Sequence, residues 1–228
     1  GTYVSEAQKF SQGLLSVGGI KAFLPLFTQL DRPMLLYDGT VAKGFDTRLS
    51  LYILRIVLLL ARSSTSGNRE MLHHVGNFSV VSYLLYQCSG RHLTLDNLQV
   101  LIDTYHALSW NARLRRGLMQ NLLVDFSLWS RASLDVCQKH SETLSLLLRG
   151  DKWTEGCLVE LCNMSKIIEA LSQHYEYLVP STLESSVEGA DGESNSDSST
   201  SSSTASIRAI RKNLWRVAGH VLRCVTTM

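Results

Sequence analysis

The stretch VGGIKAFLPLF, residues 17–27, joins two segments of helical periodicity through a pair of glycines. Apolar residues on either side of the pair recur at the spacing of one helix face: Tyr3, Ala7, Phe10, Leu14 and Val17 before it, and Ile20, Phe23, Leu24, Phe27 and Leu30 after it. Gly18 and Gly19 can adopt the left-handed backbone that ends a helix at low cost. The stretch therefore predicts two helices that meet at a glycine corner, which is the building unit of an α-solenoid if it recurs.

The same arrangement recurs twice further along the chain. The segments VGNFSVVSYLL (residues 75–85) and LCNMSKIIEAL (residues 161–171) place Gly76 and Asn163, respectively, between two helical stripes. The chain also has only three prolines and no sustained alternation of apolar and polar residues, which favours helices over strands. The predicted fold is all-α, an armadillo-like helical solenoid of about ten helices with irregular repeats. A plain helical bundle with glycine-terminated helices is the alternative.

Composition is that of an ordinary globular chain. Of the 228 residues, 45% are hydrophobic and 18% are charged, and the formal net charge is +2. Residues 181–206 carry five acidic and no basic side chains, so the rest of the chain carries +7. That excess is mild for a chain of this length, and we expect no nucleic-acid partner.

The most apolar segment, residues 49–61, predicts a buried central helix. It is shorter than the run of about 20 apolar residues that a membrane span needs, and Arg55 interrupts it. Asp46, Thr94 and Thr154 are predicted to cap the helices that follow them, because their side-chain oxygens can accept from free backbone N–H groups.

The segment from Ser181 to Ser206 is rich in serine and threonine and has no aromatic residue. Such a segment buries too little apolar surface to offset its ordering entropy, so it is predicted to be a disordered acidic loop. The predicted organisation is armadillo-like repeats over residues 1–180, this loop over 181–206, and a C-terminal helix over 207–228 that packs back on the repeats. Ser185 and Ser194 have an acidic residue three positions later, which makes them candidate phosphorylation sites. An unmodified spacer is the alternative.

The C-terminal segment combines an apolar stripe with a basic face. Four residues on that face form a candidate contact for an acidic partner, either lipid or peptide: Arg211, Lys212, Trp215 and Arg216. The alternative is a final solenoid helix whose basic face is only solvated, since the apolar stripe is what a capping helix needs.

The sequence holds no constellation typical of catalysis or of metal binding. Cys157, Cys162 and His174 are one pair of thiols and one histidine, and a structural zinc site needs four converging ligands. The pairs Cys88/His92 and Cys137/His140 lack a visible orienting third group. His73 and His74 are read as exposed residues near a helix end, with a pH-sensitive pair as the alternative. No catalytic, cofactor-binding or metal-binding residue is predicted, and the five cysteines are read as reduced core thiols of a cytoplasmic, non-enzymatic protein.

Three patches resemble one family. Residues 17–31, 68–85 and 122–130 are similar to the armadillo-like region of neurobeachin-type BEACH proteins, and the likeness extends over roughly Val17 to Pro180. The resemblance implies a scaffold module of a large cytoplasmic protein that acts in vesicle and membrane trafficking, peripherally on endomembranes. It implies protein partners and contacts with other domains of the same full-length chain, and we expect this sequence to be a piece of that longer protein.

Overall fold

A computed structural model describes residues 12–32, 46–63, 65–175 and 197–226, with only the backbone described at 174, 197–202 and 225. Within these residues the structure is helical and contains no strand, which confirms the predicted all-α class. The chain divides into two compact units, residues 1–133 and 134–228. This boundary falls inside the region predicted as one run of repeats.

The first unit contains seven α-helices within its described residues, in addition to a helical segment at 12–16. Two short 3₁₀ turns, Gly19–Ala22 and Gly90–His92, lie between them, and a π-helical turn continues the sixth helix over Met119–Leu123. The α-helices are α1 (Leu24–Phe27), α2 (Arg48–Ser63), α3 (Thr65–His73), α4 (Ser79–Gln87), α5 (Leu95–Ala107), α6 (Ala112–Leu118) and α7 (Phe126–Trp129).

The second unit contains four α-helices within its described residues. They are α8 (Leu134–Leu147), α9 (Lys152–Leu161), α10 (Met164–Glu169) and α11 (Asp197–Thr226), and a π-helical turn over Ala170–His174 continues α10. The long helix α11 packs mainly against α8, with further contacts to α9 and α10.

The first predicted corner is present. Gly18 and Gly19 have φ angles of 123° and 62°, in the region that favours glycine. The Glu70 carboxylate of α3 accepts from the backbone N–H groups of Ile20 and Lys21, each at 3.0 Å. The corner is therefore closed by a side chain that comes from about fifty residues further along the chain.

The apolar stripe after this corner runs from Ile20 to Leu30, but the α-helix there covers only Leu24–Phe27. The chain forms the 3₁₀ turn Gly19–Ala22 and then α1, with Pro25 in the first turn of α1. Proline has no N–H to donate to a preceding turn, so it starts a helix more readily than it continues one.

The second and third corners are built differently from each other. Gly76, Asn77 and Phe78 all have left-handed φ angles, of 60°, 51° and 77°, and the Asn121 side chain donates to the Asn77 carbonyl at 2.7 Å. Asn163 is not left-handed, with φ at −62°. Its side chain instead accepts from the Lys166 N–H and caps α10. Asparagine here turns the chain as an N-cap and not by the conformation that glycine supplies.

The predicted central helix is α2, and its apolar face is buried. Arg55 lies on the exposed side, which explains how a charge interrupts this apolar segment without cost. A buried amide also ties α2 to α5, because Asn97 donates to Ser50 at 3.1 Å and to the His92 carbonyl at 2.7 Å. No single helix among the described residues is both long and apolar enough to span a membrane; α2 and α3 meet those criteria only as a pair bent by 113°.

Two of the three predicted caps are confirmed. Asp46 accepts from the Arg48 N–H at 2.8 Å, and Thr94 accepts from the Asn97 N–H at 3.3 Å. The prediction for Thr154 is wrong, because Asp151 caps α9 by accepting from the Thr154 N–H at 2.8 Å. A carboxylate three residues earlier provides a stronger acceptor for the same helix start.

The last helix begins earlier than predicted. Residues 197–206, assigned from the sequence to the disordered loop, are the first turns of α11; residues 181–196 lie outside the described residues. Ser203 and Thr204, one turn before Ile207, are half-buried and so extend the packed face.

Four of the five cysteines are buried: Cys88, Cys137, Cys157 and Cys162. Burial raises the pKa of Cys88 and of Cys137 to about 11, and that of Cys162 to about 12, so these thiols stay protonated near neutral pH. Cys224 is half-exposed on α11, and no disulfide links any of the five.

The first prediction concerns the glycine corner. Gly19→Ala should lower the free energy of unfolding by about 1–3 kcal/mol, because the residue is left-handed and an added Cβ would collide with the Glu70 carboxylate. Gly13→Ala is the matched control, since a Cβ there meets nothing within 4 Å. Urea unfolding of the two variants checks this, and equal stabilities would contradict it.

The second prediction concerns the thiols. Ellman's reagent at mildly alkaline pH should modify one thiol per native chain quickly and the other four only after denaturation, because only Cys224 is accessible. Cys224→Ser should abolish the fast phase. A fast phase that persists in this variant would show that another cysteine is exposed.

Candidate functional site: a basic groove between α8 and α11

A groove of about 270 Å³ lies between the end of α8 and the polar face of α11. We call it the basic groove. Three arginines and one histidine contribute to its walls, and none of the described residues that line it is acidic. It is lined by Ser145, Leu148, Arg149, Trp215, Arg216, Gly219, His220 and Arg223.

The burial of the α11 stripe determines which side chains reach the groove. The predicted apolar face is buried throughout, at Ile207, Ile210, Leu214, Val217 and Val221. Because a helix rotates by 100° per residue, fixing this stripe turns positions 215, 216, 219 and 223 away from the core. The basic face is thus a consequence of the packing.

A buried amide fixes the rotation further. Asn213 is buried and donates from its side chain to Ser141 of α8 at 3.2 Å. Its side-chain oxygen accepts from the Arg216 guanidinium, also at 3.2 Å. One asparagine therefore ties α11 to α8 and positions an arginine at the groove.

His220 is held at the edge of the groove by a carboxylate. Its Nε2 lies 2.7 Å from Glu155 Oε1 of α9, and both side chains are partly exposed. Gly219, beside it, has open space where a side chain would be. The groove therefore has room next to its cations.

The structure brings together part of the predicted basic contact. Trp215, which is 55% exposed, and Arg216 line the groove. Arg211 and Lys212 do not line it; Arg211 is half-buried, and Lys212 is exposed one turn before Arg216. Whether this surface binds an acidic partner stays a prediction. Ser185 and Ser194 lie outside the described residues.

Sequence reasoning missed Arg149, His220 and Arg223 as residues that line the groove. Arg223 follows Arg216 by seven positions, and His220 by four, so helical spacing could have found both. Arg149 lies 67 residues before Arg216, just after the end of α8. No local pattern indicates that the two guanidinium groups share a groove.

A second concavity of about 340 Å³ lies in the first unit, near Lys21, Arg69 and His74. Glu70 also lines it, and its carboxylate already accepts from the backbone N–H groups of Ile20 and Lys21 at the glycine corner. We interpret this concavity as part of the corner's structure.

The cysteine–histidine pairs considered for catalysis contain thiols whose pKa is raised by burial. Asp31 lies 3.1 Å from His92 Nε2, but the Cys88 thiol donates to the carbonyls of Phe27 and Leu84. A nucleophilic thiol needs a lowered pKa, whereas burial raises the pKa of Cys88. Cys137 is buried with the same consequence. Cys157 and Cys162 are core residues, and the side chain of His174 lies outside the described residues.

Comparison with known proteins gives a consistent family assignment. The model of the family described as "Neurobeachin/BDCP, DUF4704 alpha solenoid region" matches residues 1–228. The chain is 31% identical over 139 residues to a putative neurobeachin homolog of Caenorhabditis briggsae and 30% identical over 139 residues to that of Caenorhabditis elegans. It is 22% identical over 180 residues to BEACH domain-containing protein B of Arabidopsis thaliana.

These alignments cover 60% of the chain for the two nematode proteins and 77% for the plant protein. The matched regions make up only 5% of the nematode proteins and 7% of the plant protein. No solved structure matches the chain. Since the family model covers the whole chain and the described residues form helices and no strand, the predicted resemblance is confirmed: this chain belongs to the neurobeachin/BDCP alpha solenoid family.

Proposed function

We propose that this chain is a non-catalytic protein-interaction module of a large BEACH-type protein, and that its basic groove binds an acidic segment of a protein partner. The observation that carries the proposal is the convergence of Arg149, Arg216 and Arg223 on one groove with no acidic lining residue. The partner is either a separate protein or another domain of the same full-length chain. We propose in addition that the full-length protein acts in vesicle and membrane trafficking, in the cytoplasm and peripherally on endomembranes.

The size of the groove limits what it can hold. Small-molecule sites in proteins usually measure about 300–1,000 Å³, and the basic groove, at about 270 Å³, is below that range. This volume suits one or two acidic side chains that project from a chain lying across α8 and α11. A guanidinium matches a carboxylate with two parallel hydrogen bonds, so the arginines favour this chemistry.

Trp215 adds an apolar contact at the rim of the groove. Tryptophan and arginine are the residue types most enriched among residues that dominate binding energy at protein interfaces. Here an exposed Trp215 is adjacent in sequence to Arg216, whose guanidinium is held by Asn213. Partial ordering before binding reduces the entropy cost of immobilising that side chain.

An acidic membrane surface is the second candidate. Trp215 and Leu222 are 55% and 48% exposed and lie seven residues apart on α11, beside basic side chains. Interfacial helices combine such residues, but they insert a broad apolar face into the lipid. In α11 the broad apolar face is buried in the protein, which favours the protein partner.

The third prediction tests the groove by charge reversal. Arg216→Glu and Arg149→Glu should each weaken binding of a fluorescein-labelled, glutamate-rich peptide by at least about 10-fold, because each removes a charge-assisted hydrogen bond. Fluorescence anisotropy at constant ionic strength measures this. Arg208→Glu is the matched control: it makes the same change in net charge on the same helix, at an exposed residue outside the groove lining.

A steric variant separates the groove from general charge. Gly219→Phe changes no charge and should also weaken the peptide, since the side chain would occupy the open space beside the cations. An equal loss in Arg208→Glu, or no loss in Gly219→Phe, would contradict binding in the groove. Co-sedimentation with phosphatidylserine vesicles in the absence of peptide binding would favour the membrane candidate instead.

A further inference from the structure

Three side chains with different donor atoms meet where α9 packs against α11. Atoms of Glu155, His220 and Cys224 that can ligate a metal all lie within 4.8 Å of one another, and no other group of three such residues in the described part of the chain does so. We propose that these residues form a binding site for zinc or a chemically similar divalent transition metal, and that the metal connects α9 to α11.

The spacing of the donor atoms is close to that of a zinc site. Zinc bonds of about 2.0–2.3 Å in a tetrahedron place ligand atoms roughly 3.3–3.6 Å apart. Glu155 Oε1 lies 3.8 Å from Cys224 Sγ and 2.7 Å from His220 Nε2. The carboxylate and imidazole must therefore separate by only about half an ångström to exchange their hydrogen bond for a shared metal.

The helix geometry prepares two of the ligands. His220 and Cys224 are four residues apart on α11, which places both side chains on the same face, one turn from each other. Glu155 lies in the first turn of α9, whose start is held by the Asp151 cap. All three ligands thus belong to ordered helices rather than to loops, so little ordering is required on binding.

The ligand types select the metal. An imidazole nitrogen, a thiolate sulfur and a carboxylate oxygen suit zinc and other borderline transition ions, whereas calcium and magnesium need oxygen ligands. The two anionic ligands neutralise a dication. Binding releases the thiol proton and any proton shared by His220 and Glu155, and water completes the tetrahedron.

The proposed metal site does not include Cys157 and Cys162, the pair of thiols that the sequence analysis considered as zinc ligands. Cys157 and Cys162 are core residues, while Glu155, His220 and Cys224 are all half-exposed and accessible to an ion from solvent. The sequence signal that was available is the spacing of His220 and Cys224. Glu155 is 65 residues before His220, and only the packing of α9 on α11 brings it near.

The fourth prediction is that the purified chain binds one Co²⁺ per molecule, with the intense visible d–d bands of tetrahedral cobalt and a thiolate charge-transfer band. Zinc should displace the cobalt, and zinc should also raise the melting temperature because it binds only the native arrangement. Cys224→Ser should abolish the charge-transfer band. Glu155→Gln and His220→Gln should weaken cobalt binding by at least about 100-fold, more than the loss typical of outer-shell changes.

His73→Gln is the matched control, since it removes an exposed histidine in the first unit and should leave the cobalt spectrum unchanged. Circular dichroism of each metal-free variant checks that the helices are retained. A charge-transfer band that persists in Cys224→Ser, an octahedral spectrum without thiolate ligation, or equal binding in Glu155→Gln and wild type would each overturn the proposal. Because His220 also lines the basic groove, the cobalt spectra are recorded without peptide, so that they test the metal site separately from peptide binding.

Discussion

Each unit depends on burying the apolar face of one helix. That burial fixes the rotation of the helix about its own axis, and the rotation decides which side chains face solvent. In the second unit, α11 buries Ile210, Leu214 and Val217, and Asn213 locks the helix to Ser141 of α8. The basic groove follows from this rotation, as does the approach of His220 to Glu155.

In the first unit, the buried face of α2 has the same role and leaves Arg55 exposed. Hydrophobic burial is not directional by itself, so single buried amides such as Asn213 and Asn97 add the specificity that burial lacks.

The turns between helices need polar groups as much as the helices need apolar ones. A left-handed corner leaves backbone N–H and carbonyl groups without a partner inside a helix. Burying such groups without a hydrogen bond would lower the stability of the fold. At the first corner Glu70 accepts from two of these groups, and at the second Asn121 donates to the Asn77 carbonyl. Both partners lie later in the chain than the corners they close. The corners therefore become stable only when neighbouring helices pack.

The sequence predicts what is periodic or local, and it fails where distant segments converge. The apolar stripe of α11, the Gly18–Gly19 corner and the Thr94 cap are short-range patterns, and all three are present. The sequence does not decide between Asp151 and Thr154 as the cap of α9, because both are good capping residues and only the position of the helix start distinguishes them. Helix α11 is longer than predicted because a Ser- and Thr-rich segment with little apolar surface is expected to be disordered, whereas residues 197–206 are helical and Ser203 and Thr204 are half-buried. Arg149 at the groove and Glu155 beside His220 come from other helices, and no spacing rule along the chain reports such contacts.

The proposed binding of an acidic segment rests on the basic groove between α8 and α11. The most direct test of that account is an NMR titration of the isotope-labelled chain with the glutamate-rich peptide. The account predicts that amide shifts change at residues 145–149 and 215–223 and saturate together. It would be contradicted if the largest changes lay in the first unit, around Lys21, Arg69 and His74, with residues 215–223 unaffected.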